Sequence, residues 1–167
     1  MKSKIVSIEK MAEIVSKAKQ QEKKVIATSG CFDIIHAGHV TYLEEAKDKG
    51  DILIVFLNSD VSVKSLKGNN RPIVNQNERA IVIAGLECVD YVSIFDEKTP
   101  CQSILKCKPD VFIKGGDYRG KRIPEMHILE EYGGHVEYVS MVNGCSSTNI
   151  IERIKETIER EKKKLLL

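Results

Sequence analysis

The sequence predicts an α/β protein in which a single parallel sheet carries helices on both faces. Apolar runs alternate with helically patterned segments along the whole chain, as expected when crossover helices join the strands. Several of these runs are continuously apolar, which is typical of strands buried on both faces. No linker, repeat or low-complexity segment interrupts the 167 residues, a length that suits one domain.

Strands are predicted where apolar runs rich in β-branched residues end in glycine or polar residues. The clearest run is DILIVFLN, which is apolar from residue 52 to residue 57. The predicted strands cover residues 24–30, 51–58, 90–95, 109–117 and 135–140.

Helices are predicted from apolar spacing and from residues that start or stop a helix. Gly50 is expected to close the second helix, and Thr99 and Pro100 are expected to be the N-cap and first residue of a later one. The predicted helices cover residues 8–21, 38–50, 76–87, 99–107 and 125–134, with an amphipathic one from about residue 147 onward. We expect the first helix to pack outside the sheet, and residues 59–75 to form a loop.

Composition excludes several classes of protein. With 42% hydrophobic and 30% charged residues, the chain is neither a disordered tail nor a membrane protein. No apolar run approaches the roughly 20 residues that span a bilayer, and the N-terminus lacks the features of a signal peptide, so we expect a cytoplasmic protein. A net charge of +2 gives no general attraction to nucleic acid. The five cysteines form no CxxC pair and are expected to be free thiols.

Four polar segments follow predicted strands and are expected to meet at one edge of the sheet. The carboxyl ends of parallel strands meet at one edge, and ligands of such sheets bind there. The segments are SGCFDIIHAGH (29–39), NSDVSVKSLKG (58–68), KGGDY (114–118) and NGCSST (143–148).

Two histidines in the first of these segments have three possible explanations. His36 and His39 lie three residues apart near Cys31, but a structural zinc site needs four ligands and a catalytic one usually three, which disfavours a transition metal. They could be ordinary surface or core histidines. A phosphate site fits best, because a helix N-terminus offers free N–H groups and Gly38 allows close approach. Each imidazole could then donate to a phosphoryl oxygen and, when an anion is present, carry positive charge near neutrality.

The segment GCFDIIHAGH resembles the HxGH signature of the nucleotidyltransferase superfamily, which has a Rossmann-like fold. The segments NSDVSVKSLKGNNRPI, VDYVSIFDEKTP, PDVFIKGGDY, GGHVEYV and GCSSTNII follow in order. Together they are similar to the heptose 1-phosphate adenylyltransferases, over about residues 25–154. Two positions depart from the family pattern: Ser29 replaces a common Asn, and Gly144–Cys145–Ser146–Ser147–Thr148 replaces Gly-x-Ser-Thr-Thr. The loop RGKRIPEM after KGGDY also differs.

The resemblance implies an organisation and a reaction. Residues 1–22 would be an N-terminal helical extension and residues 23–167 a stand-alone nucleotidyltransferase domain. The enzyme would join ATP and D-glycero-D-manno-heptose 1-phosphate, releasing pyrophosphate and forming ADP-heptose for surface polysaccharide. The nucleophile is a phosphate oxygen that is already ionised at neutral pH, so no general base is needed. Catalysis would be positioning and charge stabilisation.

The resemblance also assigns roles to residues. His36, His39 and Lys67 would be catalytic. Asp33 would orient its loop or help to hold a metal, and Cys31 and Phe32 would supply turn backbone at the phosphates. The residues expected to bind nucleotide are Gly30, Cys31, Phe32, Asp33, His36, Gly38, His39, Lys114, Gly115, Asp117, Gly144, Ser146, Ser147 and Thr148. Those expected to bind the acceptor are Lys64, Lys67, Arg71 and Arg79.

Alternatives to these roles remain. The lysines could be merely solvated, Arg79 could form a salt bridge, and one hydroxyl at residues 146–148 could simply cap a helix. Mg²⁺ is expected as cofactor, held mainly by phosphates and water rather than by protein ligands.

Other functions remain open at this level. Within the superfamily, the chain could be a glycerol 3-phosphate cytidylyltransferase or an FMN adenylyltransferase. It could also be a non-catalytic nucleotide-binding regulatory module. A dinucleotide-dependent oxidoreductase is disfavoured because GxGxxG is absent after the first strand. The expected partners are ATP and a sugar 1-phosphate, with no nucleic acid and no membrane, and the amphipathic last helix would suit a homodimer.

Overall fold

The computed structural model describes residues 2–140 and 144–165 and contains one five-stranded sheet. The strands are β1 (Val25–Gly30), β2 (Ile52–Asn58), β3 (Tyr91–Phe95), β4 (Val111–Gly115) and β5 (His135–Val139). Their order is β3-β2-β1-β4-β5, and every adjacent pair is parallel. This confirms the predicted α/β class and its parallel sheet. The strand order reverses between β1 and β4, because β2 and β3 lie on one side of β1, and β4 and β5 lie on the other. Ligands of such sheets bind at this point.

Helices cover both faces of the sheet, as predicted. They are α1 (Ile8–Gln20), α2 (Ala37–Lys47), α3 (Asp60–Lys67), α4 (Gln76–Gly85), α5 (Cys101–Cys107), α6 (Pro124–Glu130) and α7 (Ser147–Leu165). One apolar core joins α2 and α4 to the sheet, and a second joins α1, α5 and α6 to its other face. Among the helices of these described residues, none is long and apolar enough to cross a membrane.

The continuous apolar run of β2 supplies both cores at once. Successive side chains of a strand point to opposite faces. Leu53, Val55 and Leu57 accordingly lie in the core with α2 and α4, whereas Ile54 and Phe56 lie in the other. All five are fully buried. This division explains why the run shows no alternation in the sequence.

The N-terminal helix is part of one of the helical layers. Met11, Val15 and Ala18 of α1 are buried in the core with α5 and α6. The helix lies directly against the sheet, on the face that it shares with α5. The helix therefore packs on the outside of the sheet, as expected. The domain boundary at residue 22 stays a prediction.

The segment predicted as a loop after β2 contains α3, so that prediction was wrong for residues 60–67. Ser59 caps the helix by accepting a hydrogen bond from the backbone N–H of Ser62 at 3.2 Å. Val63 is buried on its inner side. The loop begins only at Gly68, which has a φ of 90°. The sequence contains no clear sign of this helix, because most of its residues are polar and Val63 is its one buried apolar side chain.

Two predicted helix ends lie one or a few residues from the observed ones. Pro100, not Thr99, is the N-cap of α5, and α2 ends with Asp48 as its C-cap. Gly50 instead allows close chain packing, because a Cβ there would lie 2.8 Å from the Lys24 carbonyl oxygen.

The last helix is long and has no buried residue. Its predicted apolar side is present but not covered: Ile154 and Ile158 are 52% and 50% exposed. Helix α7 matters for the site chiefly through its first residues, which lie at the carboxyl edge of the sheet.

Candidate active site

A cavity of about 320 Å³ lies at the carboxyl edge of the sheet. It is bordered by the turn after β1, the first turn of α2, the end of β4 and the start of α7, together with Lys67 at the end of α3. The four polar segments singled out in the sequence therefore meet at one place. Asn143, which belongs to the fourth segment, lies outside the described residues.

Most of the predicted site residues border this cavity. They are Gly30, Cys31, Phe32, Asp33, His36, Gly38, His39, Lys67, Lys114, Gly115, Asp117, Ser146, Ser147 and Thr148. Gly144, Lys64, Arg71 and Arg79 do not border it. Gly144 lies within the fourth polar segment, ahead of α7, with a φ of 77°, and Lys64 is exposed on α3.

The two histidines stack against each other at the start of α2. Their ring centroids are 3.8 Å apart with an interplanar angle of 24°. His36 is the N-cap residue of the helix, yet its side chain makes no capping hydrogen bond. The Nδ1 atoms of both His36 and His39 are buried, and no group in the described part of the chain bonds to them. Buried polar atoms normally have partners, so this pair has unused hydrogen-bonding capacity that a ligand would satisfy.

Burial favours the neutral form of both imidazoles. Burial lowers the pKa of His36, and burial together with the neighbouring His36 and Lys67 lowers the pKa of His39 to about 4. The expectation that either ring carries positive charge when an anion is present stays a prediction. A neutral imidazole still donates one hydrogen bond, and an anion placed against the rings would favour protonation.

The turn before the histidines is held by Asp33. This buried carboxylate accepts from Arg71 Nε at 2.6 Å and from the backbone N–H groups of Ile73 and Val74 at 2.8 and 2.9 Å. Burial opposes ionisation, but these N–H groups and Arg71 hold the pKa of Asp33 below its usual value. Because its oxygens are engaged in this way, Asp33 orients the loop and is poorly placed to hold a metal.

Arg79 is a structural residue that does not border the cavity, so its expected role in acceptor binding stays a prediction without support from this geometry. Its side chain is fully buried. The guanidinium donates to the Cys31 carbonyl, to the Val74 carbonyl at 2.9 Å and to Asp60 Oδ1 at 2.8 Å. Arg79 thus forms the salt bridge that the sequence analysis gave as the alternative role. Its three contacts hold the turn after β1 against α3 and α4.

Arg71 and Lys64 are also not supported as acceptor-binding residues. The side chain of Arg71 is 13% exposed and is paired with Asp33. Lys64 lies in the last turn of α3 and faces solvent. Of the basic residues predicted for the acceptor, Lys67 is the one that borders the cavity.

Gly38 allows the start of α7 to approach the start of α2. A Cβ at this position would lie 2.9 Å from the Cys145 Cβ and 3.1 Å from His36 Nδ1. Any other residue would displace one of these neighbours. The absence of a side chain at Gly38 is thus required for the contact between the two helices.

The start of α7 uses some of its hydroxyl groups internally. Ser146 Oγ accepts from the Asn149 backbone N–H at 3.0 Å, and Ser147 Oγ donates to the Ile34 carbonyl at 3.1 Å. The first bond caps the helix, and the second ties α7 to the turn after β1. Both hydroxyls can still accept a hydrogen bond, so they are compatible with capping and with ligand binding.

The end of β4 contributes a lysine held in an ion pair. Lys114 Nζ lies 2.9 Å from Glu125 Oε1, and the two side chains are 14% and 4% exposed. The lysine also lies above the ring of Tyr118, 5.2 Å from its centroid. Its charge is therefore partly neutralised, whereas Lys67 is exposed at the cavity edge.

Four bordering residues were not among the predicted site residues: Ser29, Tyr42, Tyr118 and Cys145. Tyr42 donates to the Ile113 carbonyl at 3.0 Å and pairs with Thr28 Oγ1 at 2.6 Å, which joins α2 to the sheet. Burial raises the pKa of this phenol far above its usual value. It lies three residues after His39, so helical spacing could have identified it.

The described residues contain no group of three or more histidine, cysteine or acidic side chains suited to a metal ion. Mg²⁺ that is bound together with phosphate groups is commonly held by phosphate oxygens and water, with few protein ligands. The carboxylate that faces this cavity without being buried is Asp117. A phosphate-held ion is compatible with this donor set.

Comparison with known proteins matches the chain to a family of nucleotidyltransferases and to several bifunctional relatives. The family model described as Cytidylyltransferase-like matches residues 27–153. The bifunctional protein HldE of Geotalea uraniireducens is 48% identical over 92% of this chain and 31% of its own length. That of Campylobacter concisus is 52% identical over 96% of this chain and 33% of its own length. The chain thus spans about a third of the length of these curated relatives.

Two solved structures share the fold. A lipopolysaccharide core biosynthesis protein from Thermoplasma volcanium matches with a TM-score of 0.57 and 28% identity, over 72% of this chain and 97% of that one. A pantoate-beta-alanine ligase from Francisella tularensis matches with a TM-score of 0.57 and 16% identity, over 81% and 66%. The second likeness concerns the fold alone. The Rossmann-like architecture expected from the sequence is confirmed.

Proposed function

Because the chain belongs to the cytidylyltransferase-like family, we propose that it transfers AMP from ATP to D-glycero-D-manno-heptose 1-phosphate. The products are pyrophosphate and ADP-heptose for surface polysaccharide. The proposal is supported by the similarity to the HldE proteins, and by the likeness to a protein described as acting in lipopolysaccharide core biosynthesis.

The observation that carries the proposal is the stacked histidine pair, whose buried Nδ1 atoms have no partner in the described chain. The pair lies at the N-terminus of α2, where free N–H groups and the helix dipole favour an anion. The start of α7 faces it across the cavity, and Lys67 adds a positive charge. A triphosphate matches this combination of donors and charge.

The reaction needs no general base. An oxygen of the sugar phosphate attacks the α-phosphorus of ATP, the new P–O bond forms, and the bond between the α-phosphorus and the bridging oxygen breaks. Pyrophosphate leaves with the electron pair of that bond. The attacking phosphate has a second pKa near 6 and is mostly ionised at neutral pH. The protein has to align the reactants and neutralise charge.

The catalytic roles fall to three side chains. His36 and His39 donate hydrogen bonds to the triphosphate and stabilise the charge that develops on the departing pyrophosphate. Lys67 borders both the histidine cavity and the second cavity described below, so it is suited to neutralise phosphate on either reactant.

The remaining residues of the cavity position the nucleotide. Gly30, Cys31 and Phe32 form the turn at the phosphates, and Asp33 acts indirectly by holding that turn. At the other wall, Gly115 permits close backbone approach and Asp117 accepts from a ribose hydroxyl or base amine. Gly144, Ser146, Ser147 and Thr148 form a second phosphate-binding segment at the start of α7.

Mg²⁺ is the proposed cofactor and supplies charge neutralisation between the two polyanions. Where Asp117 is not engaged by the nucleotide, its exposed carboxylate would be available to the water shell of such an ion. We also propose a cytoplasmic protein that binds ATP and a sugar 1-phosphate and forms a homodimer through the exposed apolar side of α7.

A pyrophosphate-release screen tests the function. Four nucleoside triphosphates are crossed with heptose 1-phosphate, glycerol 3-phosphate and FMN. ATP with heptose 1-phosphate should give the highest kcat/KM. A higher value for CTP with glycerol 3-phosphate, or for ATP with FMN, would assign the chain to another branch. Binding of ATP without pyrophosphate release from any pair would indicate a regulatory nucleotide-binding module.

A further inference from the structure

A second cavity of about 460 Å³ adjoins the first at the same edge of the sheet. The two share a border formed by Ser29, Gly30, Cys31, Lys67, Lys114 and Tyr118. The second cavity extends toward the face of the sheet covered by α5 and α6, and its volume is in the range of small-molecule sites. A ligand there would lie directly beside a nucleotide in the first cavity.

One wall of this second cavity contains a buried carboxylate with remaining capacity to accept hydrogen bonds. Glu125 is 3% exposed, and Lys114 engages its Oε1 at 2.9 Å. A carboxylate has two oxygens and about four acceptor sites, so one ion pair leaves Oε2 able to accept from a ligand hydroxyl. The ion pair also neutralises the carboxylate, which would otherwise repel a phosphate nearby.

The opposite wall contains a second buried acceptor whose orientation is fixed by a chain of hydrogen bonds. Ser62 Oγ donates its hydrogen to the Glu97 carbonyl at 2.6 Å, so it can only accept from Asn58 at 2.8 Å. The Asn58 amide must therefore turn its NH₂ group toward Ser62. This leaves Oδ1 as the free acceptor of a side chain that borders the cavity and is 5% exposed.

We propose that the second cavity binds the polyhydroxylated ring of the acceptor, and that Glu125 and Asn58 recognise its hydroxyl groups. The proposal rests on the proposed function and specifies its acceptor subsite. Two acceptor groups on opposite walls match a ligand that carries several hydroxyl donors. Lys67 and Lys98, which also border the cavity, suit the phosphate of the same ligand. Thr99 adds a hydroxyl at this side.

The test compares Glu125→Gln with Glu130→Gln, which changes an exposed residue of the same helix that borders neither of the two cavities. KM for heptose 1-phosphate and KM for ATP are measured by pyrophosphate release. Loss of a charged hydrogen-bond partner should raise KM for the sugar phosphate about 10- to 100-fold in Glu125→Gln. KM for ATP in this variant should change much less, although Lys114 loses its partner and borders both cavities, and both constants in Glu130→Gln should stay at wild-type values. Equal increases for both substrates, or no increase, would overturn the proposal.

A second variant guards against a folding defect, since Glu125→Gln leaves Lys114 without its partner. Thr99→Val changes a half-buried hydroxyl at the same cavity while keeping side-chain shape. It should raise KM for the sugar phosphate about threefold to tenfold without changing KM for ATP, since a neutral hydrogen bond is weaker than a charged one. An unchanged KM for the sugar phosphate in both variants would exclude the cavity as the acceptor subsite.

Calorimetry separates this proposal from the function on which it rests. Heptose 1-phosphate is titrated into the full chain in the presence of a non-hydrolysable ATP analogue. Binding by the wild type that is weakened in Glu125→Gln would support the subsite even if no pyrophosphate were released, in which case only the proposed reaction fails. No binding by the wild type would overturn the subsite as well.

Discussion

The imidazole rings of His36 and His39 stack with their centroids 3.8 Å apart at the first turn of α2. Their Nδ1 atoms are buried without partners in the described structure, and Phe32 lies 5.3 Å from the ring of His39. Two protonated rings at this distance would repel each other, and burial lowers the pKa of both, so the neutral forms are favoured. The two neutral rings are thus hydrogen-bond donors, and a bound anion would favour their protonation.

Replacement of either histidine by alanine should reduce kcat at least about a hundredfold, because loss of one preorganised donor to developing charge has a cost of that size. The measurement is steady-state pyrophosphate release at saturating substrates. His127→Ala is the matched control, since that histidine is exposed on α6 and borders neither the histidine cavity nor its neighbour. Full turnover in His36→Ala and His39→Ala would remove the catalytic role.

The depressed pKa of His39 should make the protein less stable as pH falls below neutrality. The pKa is about 4 in the folded protein and about 6.5 as the reference value, so the unfolded chain binds the proton first. The contribution is present in full above pH 6.5 and is lost as pH falls toward 4. The free energy of unfolding is measured by urea titration at pH 7 and pH 5.

His39→Gln is the comparison for this pH dependence, because it keeps a polar side chain that does not titrate. The wild type should lose more stability between pH 7 and pH 5 than His39→Gln does. Equal losses would show that His39 is not held neutral by the fold. Asp33 affects both proteins alike, since the pKa of its carboxyl is also lowered and the variant retains it.

Replacement of Arg79 by methionine should lower stability and leave substrate affinity nearly unchanged. The variant leaves the Cys31 and Val74 carbonyls and Asp60 without their donor, which we expect to cost about 2–4 kcal/mol in the free energy of unfolding. Lys64→Met is the control, because Lys64 is exposed on α3. A stable Arg79→Met variant with a large increase in KM would restore Arg79 as a substrate-binding residue.

Replacement of Gly38 by alanine should weaken ATP binding about ten- to hundredfold, because small displacements of site residues have costs of this order. The new Cβ would lie 2.9 Å from the Cys145 Cβ and push the start of α7 away from the histidines. The dissociation constant for ATP is measured by calorimetry. Adding Cys145→Gly removes the opposing atom and should restore part of the affinity, whereas no recovery would show that displaced His36 is the cause.

The sequence alone was sufficient for the strands and for the edge at which they meet. Continuous apolar runs separated by helical patterns admit few arrangements, because parallel strands must be buried on both faces. From that, the turn after β1, the end of β4 and the start of α7 were expected at one place, and the structure brings them together. Helix α3 was missed because Gly68, Asn69, Asn70 and Pro72, which follow it, made the whole polar stretch look like a loop, whereas the burial of Ser62 and Val63 fixes its position.

What the sequence by itself determined was therefore the class of fold, the family and the identity of the polar segments around the cavity. Only the tertiary structure decided what each charged side chain does there. Arg79 and Lys67 are both basic residues near the same segment, yet one is buried among carbonyl groups and the other borders the cavity. The physical reason is that burial and hydrogen-bond partners come from residues distant in sequence. They determine whether a charged side chain is paired within the fold or remains available to a ligand.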